Sequence, residues 1–333
     1  MTVLIANAFA KSGRDRLAAL GHVVGYRPEL DGQALVDAVT ELAPEVLVVR
    51  GTRVTAAMML PSLRLIVRAG SGVNTIDVPA ATQRGIQVAN CPGTNAIAVA
   101  ELTVALLLAI DRRIPENVAA LRAGEWNKKG FSDAPGIFGR TMGLLGAGPI
   151  AVEVIKRVAA FGMPVVLWSR RFDGRDGDVP ADVLAGLGLT IARAQTTIRF
   201  APTPRDVAAR CDVLSIHLAL DPATKGMVGA DVLGALAPGS YVINTARGEV
   251  VDASALASAI ETGKLKAGLD VFGVEPAAST GTFSDPIVRL PGVYGTHHIG
   301  ASTNQAQEAV AAETVRIIQT FIDTGQAPHA VAG

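Results

Sequence analysis

The sequence predicts an α/β protein with parallel sheets, divided into two domains, and three observations carry that expectation. Its 333 residues exceed the roughly 100–200 of one ordinary domain. Short runs rich in Val, Ile and Leu alternate with longer helical patterns, as strands joined by crossover helices do. Apolar side chains make up 49% of the chain and charged ones 18%, against a usual charged share of about one quarter. A large core can therefore be buried, and disorder is excluded.

The elements follow in order. Residues 3–6, 46–49 and 65–67 read as strands, with a helix over 34–42 between the first two. Their uniformly apolar character points to a sheet covered on both faces. A long helix follows over 96–111, and 121–138 is a polar passage with Gly and Pro that reads as linker and surface. A second strand series occupies 142–145, 165–168, 213–217, 241–244 and 267–269. Residues 172–204 are rich in Gly, Asp, Arg, Thr and Pro and read as an insertion. The closing helix, 304–323, is amphipathic through Val310, Val315, Ile318 and Ile322, and is expected to return to the N-terminal domain. No short-period repeat is present.

Charge narrows the classes of partner. Thirty Lys+Arg balance thirty Asp+Glu, and no basic block supplies a field for a nucleic-acid backbone or an anionic membrane. The ligand is expected to be small, and no metal is called for. Cys91 and Cys211 read as free and buried, as a reducing compartment permits. The apolar start, residues 2–10, has no basic residue ahead of it and so does not read as a secretory signal. The longest apolar stretch, 96–110, is broken by Glu101 and is short of the roughly 20 residues of a membrane span. A cytoplasmic location is expected.

Gly146-Ala147-Gly148-Pro149-Ile150-Ala151 fits G-x-G-x-x-G/A between the strand at 142–145 and a helix over 150–161. In that setting the first glycine makes the turn, the second lets backbone approach a pyrophosphate, and the small last residue allows helix and strand to pack. The helix N-terminus adds unpaired N–H groups. The bland alternative is an ordinary tight turn. The next strand ends in Ser169-Arg170-Arg171, where an acid would otherwise take the ribose 2′-hydroxyl. A guanidinium beside a small hydroxyl suits a 2′-phosphate, so NADP is favoured slightly over NAD; the alternative is two solvated surface arginines.

Three later groups follow strands of the second series: Asn244 to Gly248, Gly268 to Pro276, and Thr296 to Gly300. Ligands of open parallel sheets lie outside the carboxyl ends of the strands. Convergence there would bring Arg247, Glu275 and His298 to one place. That trio suits alcohol–ketone hydride transfer: an Arg holds a carboxylate, a His moves the proton, and a Glu fixes the His tautomer. His22, His217 and His329 read instead as surface or capping residues.

Taken together, the run Arg68 to Asp77, Ala100-Glu101-Leu102-Thr103, Trp126-Asn127-Lys128-Lys129, the glycine turn, Asn244 to Gly248, Leu269 to Phe272 and His298-Ile299-Gly300-Ala301-Ser302-Thr303 resemble the D-isomer-specific 2-hydroxyacid dehydrogenase family, most of all its phosphoglycerate-acting branch. The resemblance spans nearly the whole chain. It implies two Rossmann-like domains, the dinucleotide-binding one (97–301) inserted into a discontinuous substrate-binding one (1–96 and 302–333). It implies Arg247 as carboxylate clamp, Glu275 as support for the histidine and His298 as acid/base. Asp270 would hold the nicotinamide carboxamide, while Ser71, Pro149, Ile150, Thr245, Ala246 and Gly300 would line the cofactor. Arg50, Arg68, Ser71, Gly72 and Lys128 would meet substrate, with Lys128 reaching across a homodimer.

Several departures from the family pattern carry information. His297 stands where proline usually precedes the histidine, the ribose acid is missing, and 172–204 is longer than usual. Ending at Gly333, the chain is expected to lack a serine-sensing domain and its feedback inhibition. Glyoxylate/hydroxypyruvate reduction is the rival activity within the family, and a dinucleotide-sensing corepressor-like protein is the alternative of another class.

Overall fold

The structure is a computed structural model and describes residues 1–189, 196–276 and 280–331. Its contacts divide into two compact units: Met1–Ala98 with Ala301–Gly333, and Val99–Gly300.

The first unit holds β1 (Thr2–Ile5), α1 (Lys11–Ala19), β2 (Val23–Tyr26), α2 (Gly32–Leu42), β3 (Val46–Val49), β4 (Leu65–Arg68), α3 (Val78–Gln83) and β5 (Gln87–Asn90). Its sheet is entirely parallel, in the order β2-β1-β3-β4-β5. All four residues of β3 are buried, as expected of a strand covered on both faces. Local chemistry fixes the helix starts: Asp31 accepts from the N–H of Gly32, and Asp77 from that of Ala80, each satisfying a donor that the helix leaves unpaired.

The second unit takes in most of α4 (Ala96–Arg112), then α5 (Ile114–Arg122), β6 (Met142–Leu145), α6 (Pro149–Ala160), β7 (Val165–Trp168), β8 (Gly177–Asp178), α7 (Ala181–Gly186) and β9 (Ile198–Phe200). It continues with α8 (Pro204–Ala209), β10 (Val213–Ile216), α9 (Ala230–Ala235), β11 (Ser240–Asn244), α10 (Ala253–Glu261), β12 (Leu265–Leu269) and β13 (Val293–Gly295). The sheet order is β13-β12-β11-β10-β6-β7-β9-β8, and every pairing is parallel except that of the short edge strand β8 with β9. The chain runs outward from β6 through β7 to β9, then crosses back to β10 and continues the other way. β6 therefore marks the topological switch point, where ligands of such sheets bind.

The closing helix, α11 (Asn304–Thr324), is capped by Thr303, which accepts from Ala306, and ends at Gly325 with φ +73°. Val310, Val315 and Ile318 are buried on it, in one core with Val3, Val46, Leu65 and Val67 of the first sheet. The expected return to the N-terminal part of the chain is thus realised. Both cysteines are free and buried.

Two expectations need correction. Residues 172–204 are not simply an insertion: β9 pairs in parallel with β7 and contributes buried Ile198 and Phe200 to the core. Its Ile-Arg-Phe alternation after a Thr-rich lead hid a strand; residues 190–195 of that stretch lie outside the described residues. The strands β2, β5 and β13 give no clear strand signal in the sequence, because Gly25, Gln87, Asn90 and Gly295 dilute their apolar runs. Among the described residues no helix is long and apolar enough to cross a membrane.

Candidate functional site

The glycine turn leaves the switch strand. Gly146 has φ +110°, and a Cβ there would lie 2.4 Å from the carbonyl oxygen of His217, so any larger residue would meet both backbone strain and a clash. Gly148 caps α6 and is the reverse case: a Cβ would meet nothing within 4 Å, leaving the backbone open to an approaching ligand. Pro149 opens the helix and Ile150 follows, while Ala151 is fully buried. A pyrophosphate fits this cradle, as the motif predicts.

At the tip of β7, Ser169 is buried and its Oγ has no hydrogen-bond partner among the described residues. The tip of the strand after a glycine turn is where the adenosine ribose of a dinucleotide is expected in folds of this kind. Arg170 begins a short 3-10 turn, and its Nη1 lies 2.8 Å from Oδ2 of Asp221 in the turn after β10. It is neither free nor a merely solvated surface group. Nothing in the local sequence marks Asp221, because Asp-Pro after a strand looks like ordinary turn chemistry.

The chemical end lies at the carboxyl edge of β11, β12 and β13. The buried Asn244 side chain folds the first loop: its Oδ1 accepts from Ala246 N–H, and its Nδ2 donates to the Arg247 carbonyl. Thr245 is buried with Oγ1 3.0 Å from Thr103 Oγ1 of α4. Arg247 Nη1 donates to the Ala246 carbonyl at 2.6 Å. A Cβ at Gly248 would fall 2.0 Å from the carbonyl carbon of Phe272, so only glycine lets these two loops touch.

After β12, the Asp270 N–H donates to the Asn244 carbonyl, and its buried carboxylate takes three donors from the loop after β13. Oδ1 accepts from Thr296 Oγ1 at 2.7 Å and from Ile299 N–H at 2.8 Å; Oδ2 accepts from Gly300 N–H at 2.8 Å. Between these anchors His298 adopts φ +51°, a left-handed conformation that a non-glycine residue holds only when its surroundings impose it. Its Nδ1 lies 2.6 Å from Glu275 Oε2, while Oε1 of the same carboxylate accepts from Phe272 N–H at 2.9 Å. Partial burial pushes the Glu275 pKa up, but the bonds from His298 and Phe272 and the charge of Arg247 outweigh it, and the net shift is downward. Glu275 is therefore ionised at neutral pH. An ionised acceptor makes Nδ1 the donor and leaves Nε2 for exchange with a ligand.

Among the other histidines, His217 is not a surface residue. Its Nε2 lies 2.9 Å from Ser215 Oγ, and its Nδ1 is buried without a partner among the described residues. Burial pushes its pKa down to about 3. His22 is half-buried, with its pKa lowered by burial and the N-terminal charge. His329 is exposed beside Glu313, as expected.

In the first unit, Arg50 follows β3. Its N–H donates to Asn7 Oδ1, its Nη1 to Gln307 Oε1 of α11 at 3.0 Å, and burial lowers its pKa. It lines a cavity of about 440 Å³ with Phe9, Tyr26, Thr303, Asn304 and Glu308. Arg68 ends β4 and folds its guanidinium back against Gly70. Ser71 Oγ lies 3.0 Å from Asn95 Oδ1, and Gly72 follows it. Lys128 and His297 are exposed.

Residues 104–300 match the family described as D-isomer specific 2-hydroxyacid dehydrogenase, NAD binding domain. A D-3-phosphoglycerate dehydrogenase of Methanocaldococcus jannaschii is 37% identical over 279 residues, 82% of this chain and 49% of that protein. A hydroxypyruvate reductase of Thermotoga maritima is 36% identical over 288 residues, covering 85% of this chain and 87% of its own. The crystal structure of an NADPH-dependent glyoxylate/hydroxypyruvate reductase from Sinorhizobium meliloti, in complex with NADP and malonate, superposes with TM-score 0.79 at 30% identity, covering 99% of this chain and 96% of that one. The chain spans about half the length of the phosphoglycerate dehydrogenases it matches.

Proposed function

This chain belongs to the D-isomer specific 2-hydroxyacid dehydrogenase family, and we propose that it is an NAD(P)-dependent oxidoreductase resembling D-3-phosphoglycerate dehydrogenase. It interconverts a short D-2-hydroxy acid and its 2-keto acid. The observation that carries this reading is the His298–Glu275 pair at 2.6 Å, with Arg247 near enough to lower the Glu275 pKa. The bound nicotinamide supplies or accepts the hydride at C2. Arg247 clamps the substrate carboxylate and polarises the C2 oxygen. His298 Nε2 gives a proton to that oxygen in reduction and takes it back in oxidation, while Glu275 stabilises the charged imidazole. Catalytic charge is thus held at fixed positions before substrate arrives.

The backbone at Gly146, Gly148, Pro149 and Ile150 holds the pyrophosphate. Ser169 and Arg170 meet the adenosine ribose, while Thr245, Ala246, Asp270 and Gly300 line the nicotinamide end. Ser169 and Arg170 favour NADP(H) slightly over NAD(H), because no acid at the tip of β7 repels a 2′-phosphate. Arg50 and the cavity beside it suit an anionic substrate tail, with Arg68, Ser71, Gly72 and Lys128 as its other contacts. A homodimer is supported by Ile114, Val118 and Leu121, exposed at spacings of four and three along α5, a stripe that a second copy would cover. Such an enzyme works in the cytoplasm.

Glyoxylate/hydroxypyruvate reduction is the second reading. The same Ser169–Arg170 tip favours it, together with the NADPH dependence of the S. meliloti relative. Turnover of 3-phosphohydroxypyruvate, hydroxypyruvate and glyoxylate, each with NADH and NADPH, separates the two. Preference for the phosphorylated acid supports the first reading, and preference for the unphosphorylated acids the second. Tight cofactor binding without turnover of any of them would instead indicate a dinucleotide-sensing protein.

A further inference from the structure

We propose that Asp221 is a specificity-determining residue that governs how much of the Arg170 charge a cofactor 2′-phosphate can use. The inference rests on the reading of Arg170 as the 2′-phosphate partner, and it assigns a role to a residue that neither the glycine motif nor the strand-tip rule reaches.

In the sheet, β6 lies between β7 and β10. Arg170 follows the carboxyl end of β7, and Asp221 lies in the turn after β10. Their ion pair at 2.8 Å thus crosses the carboxyl end of β6, above the strand that continues into the glycine turn. A dinucleotide seated on that turn brings its adenosine end to the β7 tip, directly against the pair.

Asp221 Oδ1 accepts from the N–H groups of Ala223 and Thr224, at 2.9 and 3.0 Å. Its own N–H donates to Thr224 Oγ1, and that hydroxyl donates to the Ala219 carbonyl. One carboxylate oxygen is therefore committed to the turn, and the other, Oδ2, is aimed at Arg170. Partial burial raises the Asp221 pKa, but the two N–H donors and Arg170 outweigh it, so the group is charged at neutral pH. Among the described residues Arg170 has no comparable anchor: its side chain is 58% exposed against 30% for Asp221. The fixed member of the pair is the acid.

Two consequences follow for a 2′-phosphate. It must compete with a preplaced carboxylate for the guanidinium, and it meets a like charge as it does so. NAD(H), with a hydroxyl at that position, meets neither cost. The acid missing from the tip of β7 is in effect supplied through space from the turn after β10, weakening a preference that Ser169 and Arg170 alone would set.

The test is a double-mutant cycle on the full chain, with NADPH and NADH titrated by fluorescence against wild type, Asp221→Asn, Arg170→Ala and the double variant. Asparagine keeps the oxygen that caps the turn, so the fold is retained. Releasing an exposed ion pair and removing the like charge should shift the affinity ratio towards NADPH by about three- to tenfold in Asp221→Asn. The shift should shrink markedly in the Arg170→Ala background, because part of it acts through the guanidinium. No shift in Asp221→Asn, or an equal shift in both backgrounds, overturns the proposal. If Arg170→Ala leaves NADPH affinity unchanged both with Asp221 and with Asn there, the reading of Arg170 itself is what fails.

Discussion

The two ends of the Val99–Gly300 unit's sheet edge are built on different principles. At β11 to β13, Asn244 ties down its own loop, Asp270 and Glu275 reach the loop after β13, and His298 is held at φ +51° between three hydrogen bonds to Asp270. At β7 and β10, Ser169 leaves a buried hydroxyl unpaired among the described residues, and Arg170 is an exposed arm resting on one carboxylate. One end is fixed before any ligand arrives, whereas the other keeps polar capacity in reserve. Chemistry that depends on sub-ångström placement belongs on the first kind of edge. Discrimination between two cofactors differing by one phosphate is adjustable by one or two side chains, and under the proposed reading it sits on the second.

That contrast breaks most directly at the histidine. His298→Ala should lower kcat by roughly 10²–10⁴, the usual worth of general acid–base catalysis, with cofactor affinity nearly unchanged in direct titration. His297→Ala should cost less than tenfold, since that side chain is exposed and the Glu275 bond is made by its neighbour. The opposite ranking would put the reacting nitrogen on His297 and remove the meaning of the strained backbone.

Arg247→Lys tests whether the fixed edge also depends on shape. A point-charge ammonium keeps the sign but loses the planar fork that matches a carboxylate, and misplacing a substrate by about 1 Å can cost about 10²-fold. The expected result is a fall of that order in kcat/KM for a 2-keto acid, with unchanged NADPH binding. Kinetics close to wild type would take Arg247 out of the carboxylate site.

At the adjustable edge the effect is smaller and selective. Ser169→Asp places a carboxylate beside a 2′-phosphate and offers an acceptor to a ribose hydroxyl. The affinity ratio should move towards NADH by about tenfold to a hundredfold, the worth of one charge-assisted hydrogen bond, while kcat with saturating cofactor stays within a few-fold. A large loss of kcat instead would mean that the two edges are mechanically coupled.

How far each edge could be read from sequence follows the same division. The Gly146–Gly148 turn is legible because a strand, a tight turn and a helix start are local requirements, whereas Arg247, Glu275 and His298 stand out only as loop residues after strands and take their roles from the family resemblance. Most buried strands of both sheets were legible for the equally local reason that uniform apolar runs have no other place to go. What the sequence hides is pairing across distance. Arg170 and Asp221 belong to different strand ends, and nothing in either local pattern marks the other. Asp270 was read as a group for the nicotinamide carboxamide, but its bonds to Thr296, Ile299 and Gly300 become visible only once β12 and β13 are seen to be neighbours. The strand β9 was lost for a related reason: three residues after a polar stretch acquire meaning only by lying against β7.

His217 lies between the two edges, following β10 and touching the glycine turn through its carbonyl, and it sharpens the comparison through stability rather than turnover. Its imidazole is half-buried, with Nδ1 shielded and unpaired among the described residues, and desolvation lowers its pKa from 6.5 to about 3. Well above pH 6.5 the ring is neutral in both folded and unfolded chain, and the group has no effect on the pH dependence. Between pH 6.5 and about 3 the unfolded chain binds a proton that the folded one refuses, so stability falls as the pH falls. The slope from this one group is about 1.4 kcal/mol per pH unit. His217→Gln keeps a polar partner for Ser215 but does not titrate. Urea unfolding followed by the buried Trp168 at pH 4, 5, 6 and 7 should therefore show a shallower acid limb in the variant, by about one proton, and little difference in pH dependence above 6.5. An unchanged slope would mean that the folded site admits the proton after all, and that the packing beneath the glycine turn is looser than the tight approach of His217 to Gly146 implies.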